Sequence, residues 1–216
     1  MQRGGFLTSL RDKIINASLY LFEEHGFHGV TVNTIVEKVG TSKGGFYHHF
    51  KSKDELLYVI HDTFITFALK EAMMANETYE SPTKKLQAII KSFVKVFDLY
   101  KPHIFVFYQE HIYLKNDYKR LIKQKREQFK QIIMQVVCEG KESGEFRQEL
   151  PTEITGMAIL GMVNWTYKWY QQSGNYTIDE IGDIYVDLIL HAILEKAYLP
   201  TPTYEQMLIE MPFFLR

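Results

Sequence analysis

This 216-residue chain contains a single cysteine, Cys138, so a disulfide bond within the chain is excluded. It has no uninterrupted apolar stretch near the roughly 18 residues that mark a membrane-spanning helix. Its N-terminal segment, MQRGGFLTSLRDK, lacks the apolar core of about 7–15 residues that a secretory signal peptide contains. These absences predict a cytoplasmic protein with no membrane partner. Cys138 ends the apolar segment IIMQVVC, which predicts a buried thiol with a packing role.

The chain also lacks the residue patterns of common enzymes and metal sites. It contains no nucleophile–histidine–acid spacing, no paired-carboxylate motif and no glycine-rich phosphate loop. The closest histidines are His48 with His49 and His25 with His28. Gly26 interrupts the second pair, and no second cysteine completes a metal-binding set. The sequence therefore predicts no catalytic residue, no bound metal and no cofactor, and it favours a binding protein over an enzyme.

Strand-like alternation of apolar and polar residues persists nowhere, whereas helical periodicity recurs along the whole chain. Capping signals and glycines mark the helix ends, for example a capping box at Thr177 and Glu180. We predict an all-α protein of about nine helices. Residues 1–50 should form a three-helix unit, residues 51–199 a larger helical bundle, and residues 200–216 a C-terminal tail that contains three prolines.

Residues 31–50, TVNTIVEKVGTSKGGFYHHF, predict two short helices around a tight turn. In the first helix the apolar residues fall at i, i+3, i+4 and i+7, on a single face. Thr31 can cap this helix, Gly40 can end it, and Ser42 can cap the second helix. The second helix has one apolar edge and, opposite it, a side of small or hydrogen-bonding residues: Lys43, Gly45, Tyr47 and His48. This is the layout of a helix-turn-helix whose second helix reads DNA.

A local basic patch surrounds this segment in a chain whose formal net charge is only −1. Residues 38–53 contain four lysines and two histidines but no acidic residue. Such a patch in a nearly neutral protein predicts a surface for an anionic partner, here double-stranded DNA.

The segment from Ile14 to Leu57 resembles the DNA-binding domain of the TetR family of bacterial transcriptional regulators. The family pattern L-F-x-E-x-G-F is matched by LFEEHGF at residues 21–27, and T-x-x-x-I-x-x-x-x-G by TVNTIVEKVG at residues 31–40. The pattern S-K-G-x-x-Y-x-H-F-x-S-K-x-x-L is matched by SKGGFYHHFKSKDEL at residues 42–56. The turn departs from the family at Val39-Gly40-Thr41, where Ala-Gly-Val is commoner, and the Thr41 hydroxyl would add a phosphate contact.

The resemblance implies a homodimer that binds a palindromic operator. Residues 1–50 would be the DNA-binding domain, and residues 51–199 the ligand-binding and dimerisation domain, joined across the dimer by the last two long helices. Side-chain chemistry suits this role: Lys43 can reach guanine or a phosphate, Gly45 lets the backbone approach a base, and Lys53 can bind a phosphate at a helix start. The complete set of predicted DNA-contacting residues is Asn33, Thr41, Ser42, Lys43, Gly45, Tyr47, His48 and Lys53.

A second site, for a small-molecule effector, should lie in the aromatic-rich part of the larger domain. Aromatic side chains make up 14% of the chain, enough to line an apolar cavity with a few polar tips. The basic stretch at residues 115–130 would anchor a phosphate-bearing ligand through arginines, although such a run is also typical of a solvated helix face. The predicted effector-site residues are Phe105, Tyr108, His111, Tyr118, Arg120, Arg126, Trp165 and Trp169. The two tryptophans fit a core or a dimer interface as well as they fit the effector site.

The segment GMVNWTYKWY at residues 161–170 is similar to a segment of TetR-family members that respond to acyl-CoA thioesters. Those members control the degradation of fatty acids, phenylacetate or sterol side chains. The similarity implies a repressor that an acyl-CoA releases from DNA. A sensor of cationic drugs or other apolar effectors stays open, and burial of Glu110 among the aromatic residues would favour it. Activation rather than repression of transcription also stays open.

Overall fold

The computed structural model describes residues 9–199, and the predicted tail at residues 200–216 lies outside that range. The helices are α1 (Leu10–Gly29), α2 (Val32–Val39), α3 (Lys43–His49), α4 (Lys53–Thr78), α5 (Pro82–Leu99), α6 (Lys101–Glu110), a 3₁₀ turn (His111–Tyr113), α7 (Asn116–Glu142), α8 (Thr152–Asn164), α9 (Thr166–Trp169) and α10 (Ile178–Ile193). Across the described residues the only β pairing is an isolated bridge between Phe146 and Leu194, so the predicted all-α fold is confirmed. None of the helices described combines the length and the apolar character needed to cross a membrane.

Two glycines with positive φ shape the first helices: one interrupts α1, and the other ends α2 as the sequence predicts. Gly26, with φ of 69° and ψ of 163°, interrupts α1, and α2 ends at Gly40 with φ of 73°. A positive φ is costly for residues with a Cβ, so glycine is the residue type that allows both turns. α10 begins at the predicted capping box, in which the side chains of Thr177 and Glu180 each accept the backbone N–H of the other.

The described chain forms two compact units, the first of which consists of residues 9–65 and 100–123. It contains α1, α2, α3, α6 and the beginnings of α4 and α7. One buried apolar core runs through these helices, and its members include Phe22, Ile35, Phe46, Leu57 and Phe107. The helix-turn-helix thus shares its core with residues beyond position 50. The functional boundary predicted there remains a prediction, because the packing unit extends past it.

The second unit consists of residues 66–99 and 124–199. Within it, α5 packs against α8, α9 and α10. The carboxylate of Glu145 stabilises the start of α5. It accepts hydrogen bonds from the hydroxyl group of Ser81, the hydroxyl group of Thr83 and the backbone N–H of Thr83, at 2.6–3.1 Å. Phe93 packs edge-on against Phe129, with ring centroids 4.8 Å apart. These contacts join α5 to α7 and to the segment that follows α7.

The structure corrects the prediction that Cys138 is buried. Its side chain is exposed on α7, and its thiol donates to Glu142 Oε1 at 3.4 Å. This hydrogen bond and the negative charge of Glu142 raise the pKa of Cys138 above its ordinary value. Val136 and Val137 are buried, whereas the next position along the helix turns away from them, because successive helical residues point in different directions.

Candidate nucleic-acid interface

The predicted capping residues accept backbone hydrogen bonds at the starts of both helices of the helix-turn-helix. Thr31 Oγ1 accepts a backbone N–H at 3.1 Å at the start of α2. Across the turn, the N–H of Thr41 donates to the carbonyl of Val36 at 2.9 Å. At the start of α3, Ser42 Oγ accepts the N–H of Gly45 at 3.1 Å. The turn is closed at both ends, which fixes the direction in which α3 presents its side chains.

One edge of α3 is buried and the opposite side is exposed. Phe46 and Phe50 are 0% and 1% exposed and belong to the core of the first unit. Five of the predicted DNA-contacting residues are exposed to solvent: Asn33, Ser42, Lys43, Tyr47 and His48. Tyr47 is an aromatic residue, yet 53% of its surface is accessible. Hydrogen-bond donors in this arrangement can hold phosphate oxygens or base edges, and their contact with DNA stays a prediction.

The structure shows why a glycine stands at position 45, a reason that the sequence did not reveal. A Cβ added at this position would lie 2.5 Å from Thr41 Oγ1, well inside van der Waals contact. Glycine therefore lets Thr41 place its hydroxyl against the start of α3. Both residues are partly buried. The predicted approach of a base to Gly45 and the phosphate contact of Thr41 remain predictions.

Lys53 lies at the start of α4 as predicted, but its ammonium group binds within the protein. Nζ donates to the backbone carbonyls of Phe27 and Val30, both at 2.6 Å, and lies 4.2 Å from the centroid of the Phe27 ring. Burial lowers the pKa of Lys53, while the carboxylates of Asp54 and Glu110 oppose that shift. Two of its three N–H groups hold the connection between α1 and α2. Lys53 therefore positions the connection between α1 and α2 and keeps one N–H group for a phosphate, so its predicted contact with DNA stays a prediction.

Glu110, the acid within the aromatic segment, is buried, with 5% exposure. Its Oε1 atom lies 3.6 Å from the position that a Cβ on Gly26 would occupy. Its charge also interacts with the ammonium group of Lys53. The burial of Glu110 is what the sensor of cationic drugs requires, whereas the nearby charge of Lys53 reduces the attraction of this acid for a cationic ligand, so that alternative stays open.

Three of the predicted effector-site residues lie near α6 and the start of α7 in the first unit. Tyr108 and His111 contact the ring of Phe107, with centroid distances of 5.2 and 6.2 Å. Tyr118 stacks on Tyr58 at 4.6 Å. Tyr108 and Tyr118 are half-buried and His111 is exposed. Polar ring atoms therefore lie beside buried apolar ones, a mixture typical of small-molecule sites.

The other predicted effector-site residues are exposed: Phe105, Arg120, Arg126, Trp165 and Trp169. Arg120 forms an ion pair with Asp117 at 3.1 Å, and because both side chains are largely exposed this pair contributes little to stability. Trp165 and Trp169 belong to the second unit, where they are 60% and 47% exposed. Neither tryptophan is a core residue of that unit, and their exposure is what the dimer-interface alternative requires.

Sequence reasoning missed two histidines of the first unit. His61 is fully buried on α4, and His103 is half-buried on α6. Burial lowers the pKa of each to about 4, so both are neutral near pH 7. The available signal was the apolar surroundings of His61, LLYVIHDTFI at residues 56–65. Within residues 9–199, no group of three or more histidine, cysteine, aspartate or glutamate side chains is arranged to hold a metal ion.

Comparison with known proteins gives two family models and several relatives. The model for bacterial regulatory proteins of the tetR family matches residues 14–59. The model for the tetracyclin repressor-like C-terminal domain matches residues 79–193, more than half of the chain. The HTH-type transcriptional repressor KstR2 of Mycolicibacterium smegmatis is 22% identical over 191 residues, which cover 88% of this chain and 93% of that protein.

Two solved structures share the fold at low sequence identity. The ketosteroid transcriptional regulator KstR2 of Mycobacterium tuberculosis gives a TM-score of 0.78 and 21% identity, covering 90% of this chain and 100% of that chain. AibR in complex with isovaleryl coenzyme A and operator DNA gives a TM-score of 0.70 and 19% identity, covering 83% of this chain and 97% of that chain. The two matching models and the shared fold show that the chain belongs to the TetR family of bacterial regulatory proteins.

Proposed function

We propose that this protein is a transcriptional repressor that binds a palindromic operator as a homodimer and leaves it when an apolar effector binds. The exposed side of α3 carries the DNA-binding part, because Lys43, Tyr47 and His48 face solvent in a segment without acidic residues. Two-fold symmetry places the two half-sites about 34–36 Å apart, or a multiple of that distance. A regulator that acts on a bacterial chromosome works in the cytoplasm, which is the location we propose.

An exposed apolar surface on the second unit supports the proposed dimer. Large apolar side chains occupy exposed positions along α8 and α9: Ile154, Met157, Met162, Trp165 and Trp169. α10, which packs against α8, adds Leu188 with 51% exposure. Clusters of exposed apolar side chains mark interaction surfaces. A second copy of this chain is the partner that a reader of a two-fold symmetric operator requires.

Lys43→Ala should weaken binding to all DNA sequences and flatten the salt dependence. Each phosphate that a lysine neutralises contributes about 0.9 to the slope of log K against log salt, so the slope should decrease by about that amount per protomer. Tyr47→Phe removes a neutral donor and should weaken binding about 5-fold while leaving the slope unchanged. Fluorescence anisotropy between about 50 and 200 mM salt measures both effects.

Lys53→Ala provides the contrast to Lys43→Ala. Because the Lys53 ammonium holds the connection between α1 and α2, its loss should lower the melting temperature and change the salt slope less. Lys84→Ala, at an exposed lysine of α5, is the matched control and should alter neither quantity. An unchanged salt slope in Lys43→Ala would show that this residue binds no phosphate.

We further propose that the effector is an acyl-CoA thioester. The similarity of residues 161–170 to acyl-CoA-responsive regulators supports this class, as does the likeness to AibR, whose structure contains isovaleryl coenzyme A. Tyr108 and His111 supply polar ring atoms beside the buried Phe107.

An effector releases DNA only if it binds the free conformation more tightly than the DNA-bound one. α4 is one helix that supplies residues to both compact units, so we propose it as the mechanical connection.

Fluorescence anisotropy of labelled DNA from upstream of the protein's own gene tests this assignment. The protein–DNA complex is titrated with acyl-CoA thioesters of graded chain length. We expect at least one thioester to lower operator affinity about tenfold or more, and the matching free acid and CoA alone to have no effect. DNA binding that no thioester weakens would overturn the acyl-CoA assignment and leave DNA binding intact, so other apolar compounds would be tested next. Higher transcription with the bound protein than without it, in a reporter assay, would identify an activator.

A further inference from the structure

His61 carries a buried acceptor atom with no hydrogen-bond partner. The residue is fully buried on α4, and its Nδ1 atom lies 2.8 Å from the carbonyl oxygen of Leu57. A carbonyl oxygen cannot donate, so Nδ1 carries the proton and Nε2 of the neutral ring presents a lone pair. Nε2 is buried, and none of the described residues donates to it. Most buried polar atoms in folded proteins are paired, and Nε2 of His61 is an acceptor that a donor on a bound molecule could pair.

A second unpaired nitrogen lies on α6 of the same unit. His103 Nδ1 is buried and has no hydrogen-bond partner within residues 9–199. The rings of His61 and Phe107 have centroids 5.0 Å apart, and Phe107 follows His103 by four residues, one turn further along the helix. Burial keeps both imidazoles neutral near pH 7, because it lowers each pKa to about 4.

The Phe107 ring, which packs against His61, lies among other aromatic side chains. Phe107 is buried, and Phe64 packs edge-on against it with a centroid distance of 5.2 Å. His111 stacks on Phe107 at 6.2 Å and is exposed. A molecule that reaches His61 Nε2 must pack against these rings, so it should be largely apolar and carry one hydrogen-bond donor for Nε2.

We propose that His61 and His103 recognise a hydroxyl group on the apolar effector. The effector O–H donates to His61 Nε2, and His103 Nδ1 makes a second polar contact. A ketone, an ether or a carboxylate has no proton to donate to Nε2, so the site prefers an alcohol over these groups. This inference rests on the proposed function, because it names a chemical group of the proposed effector. An acyl-CoA whose acyl chain carries a hydroxyl group agrees with both the proposed effector class and the proposed hydroxyl recognition.

Long-range ¹H–¹⁵N NMR of the full-length protein labelled with ¹⁵N-histidine tests the inference with defined probes. The probes are 1-hexanol, 1-octanol and 1-decanol, each compared with its methyl ether. We expect at least one alcohol to shift the Nε2 resonance of His61, and its ether to bind about 5-fold or more weakly. His61→Phe should remove the preference for the alcohol, with His103→Phe as a second variant. The exposed His191→Gln is the control and should keep the preference.

Equal binding of alcohols and ethers, or no shift of the His61 resonance with any alcohol, would overturn the inference. Operator binding measured on the same sample separates this result from the proposed function. A protein that binds DNA but shows no preference for alcohols contradicts the hydroxyl site alone. A protein that prefers alcohols but does not bind DNA contradicts the proposed function alone.

Discussion

Leu188→Glu should leave the protein monomeric and reduce its affinity for a full palindromic operator at least about a hundredfold. Leu188 is 51% exposed on α10, so the folded monomer tolerates a charge there, whereas the proposed interface would have to bury an unpaired carboxylate. In a dimer the second recognition helix binds at a high effective concentration, which raises affinity by about 10²–10⁴. Light scattering after size-exclusion chromatography should give the chain mass of 25.5 kDa for the variant and twice that mass for the parent.

A matched control separates this interface effect from the effect of a surface charge. Leu99→Glu places the same side chain on α5, where Leu99 is 59% exposed outside the proposed face, and it should change neither mass nor affinity. Trp165→Ala probes the α8 side of the face and should weaken the dimer. If the Leu188→Glu variant stayed dimeric, Leu188 on α10 would not belong to the dimer interface. A monomeric one with full operator affinity would contradict the need for a dimer.

Protonation of His61 should lower the free energy of unfolding by about 3 kcal/mol as the pH drops from 6.5 to 4. Burial lowers the pKa of His61 to about 4 in the folded protein, whereas an unfolded histidine has a pKa near 6.5. Between these values the unfolded chain binds more protons than the folded one, so stability is retained above pH 6.5 and lost progressively below it. His103, whose pKa burial also lowers to about 4, acts in the same direction. Urea unfolding at several pH values measures the total loss.

His61→Gln identifies the share that belongs to His61. The variant lacks an ionisable group at this position, so its unfolding free energy should fall less steeply between pH 6.5 and 4, whatever its stability at pH 7. His25→Gln, at an exposed histidine of α1, controls for the substitution itself. If His61→Gln lost stability with falling pH as steeply as the parent protein, the neutral buried state of His61 would be ruled out.

The helix-turn-helix was predictable because its decisive contacts are local. Thr31 and Ser42 each accept an N–H from three residues further along the chain, and Gly40 ends α2 through its own backbone conformation. The same holds for the capping box of Thr177 and Glu180. Interactions over three or four residues are written directly into the spacing of the sequence. The helix boundaries and the exposed side of α3 could therefore be deduced before any tertiary contact was known.

Contacts between distant segments decided the rest. Lys53 reaches a carbonyl 26 residues away in the chain, so its ammonium holds the α1–α2 connection. Glu110 is a charged residue, yet it is buried beside Gly26. Trp165 is a large aromatic residue, yet it is exposed on the second unit. His61 became a candidate binding residue only when its Nε2 atom proved to be buried without a donor. The sequence by itself determined the family, the helices and the exposed side of α3. Tertiary packing alone decided which polar groups find partners, because periodicity assigns a residue to a helix face but not the atoms that lie opposite it.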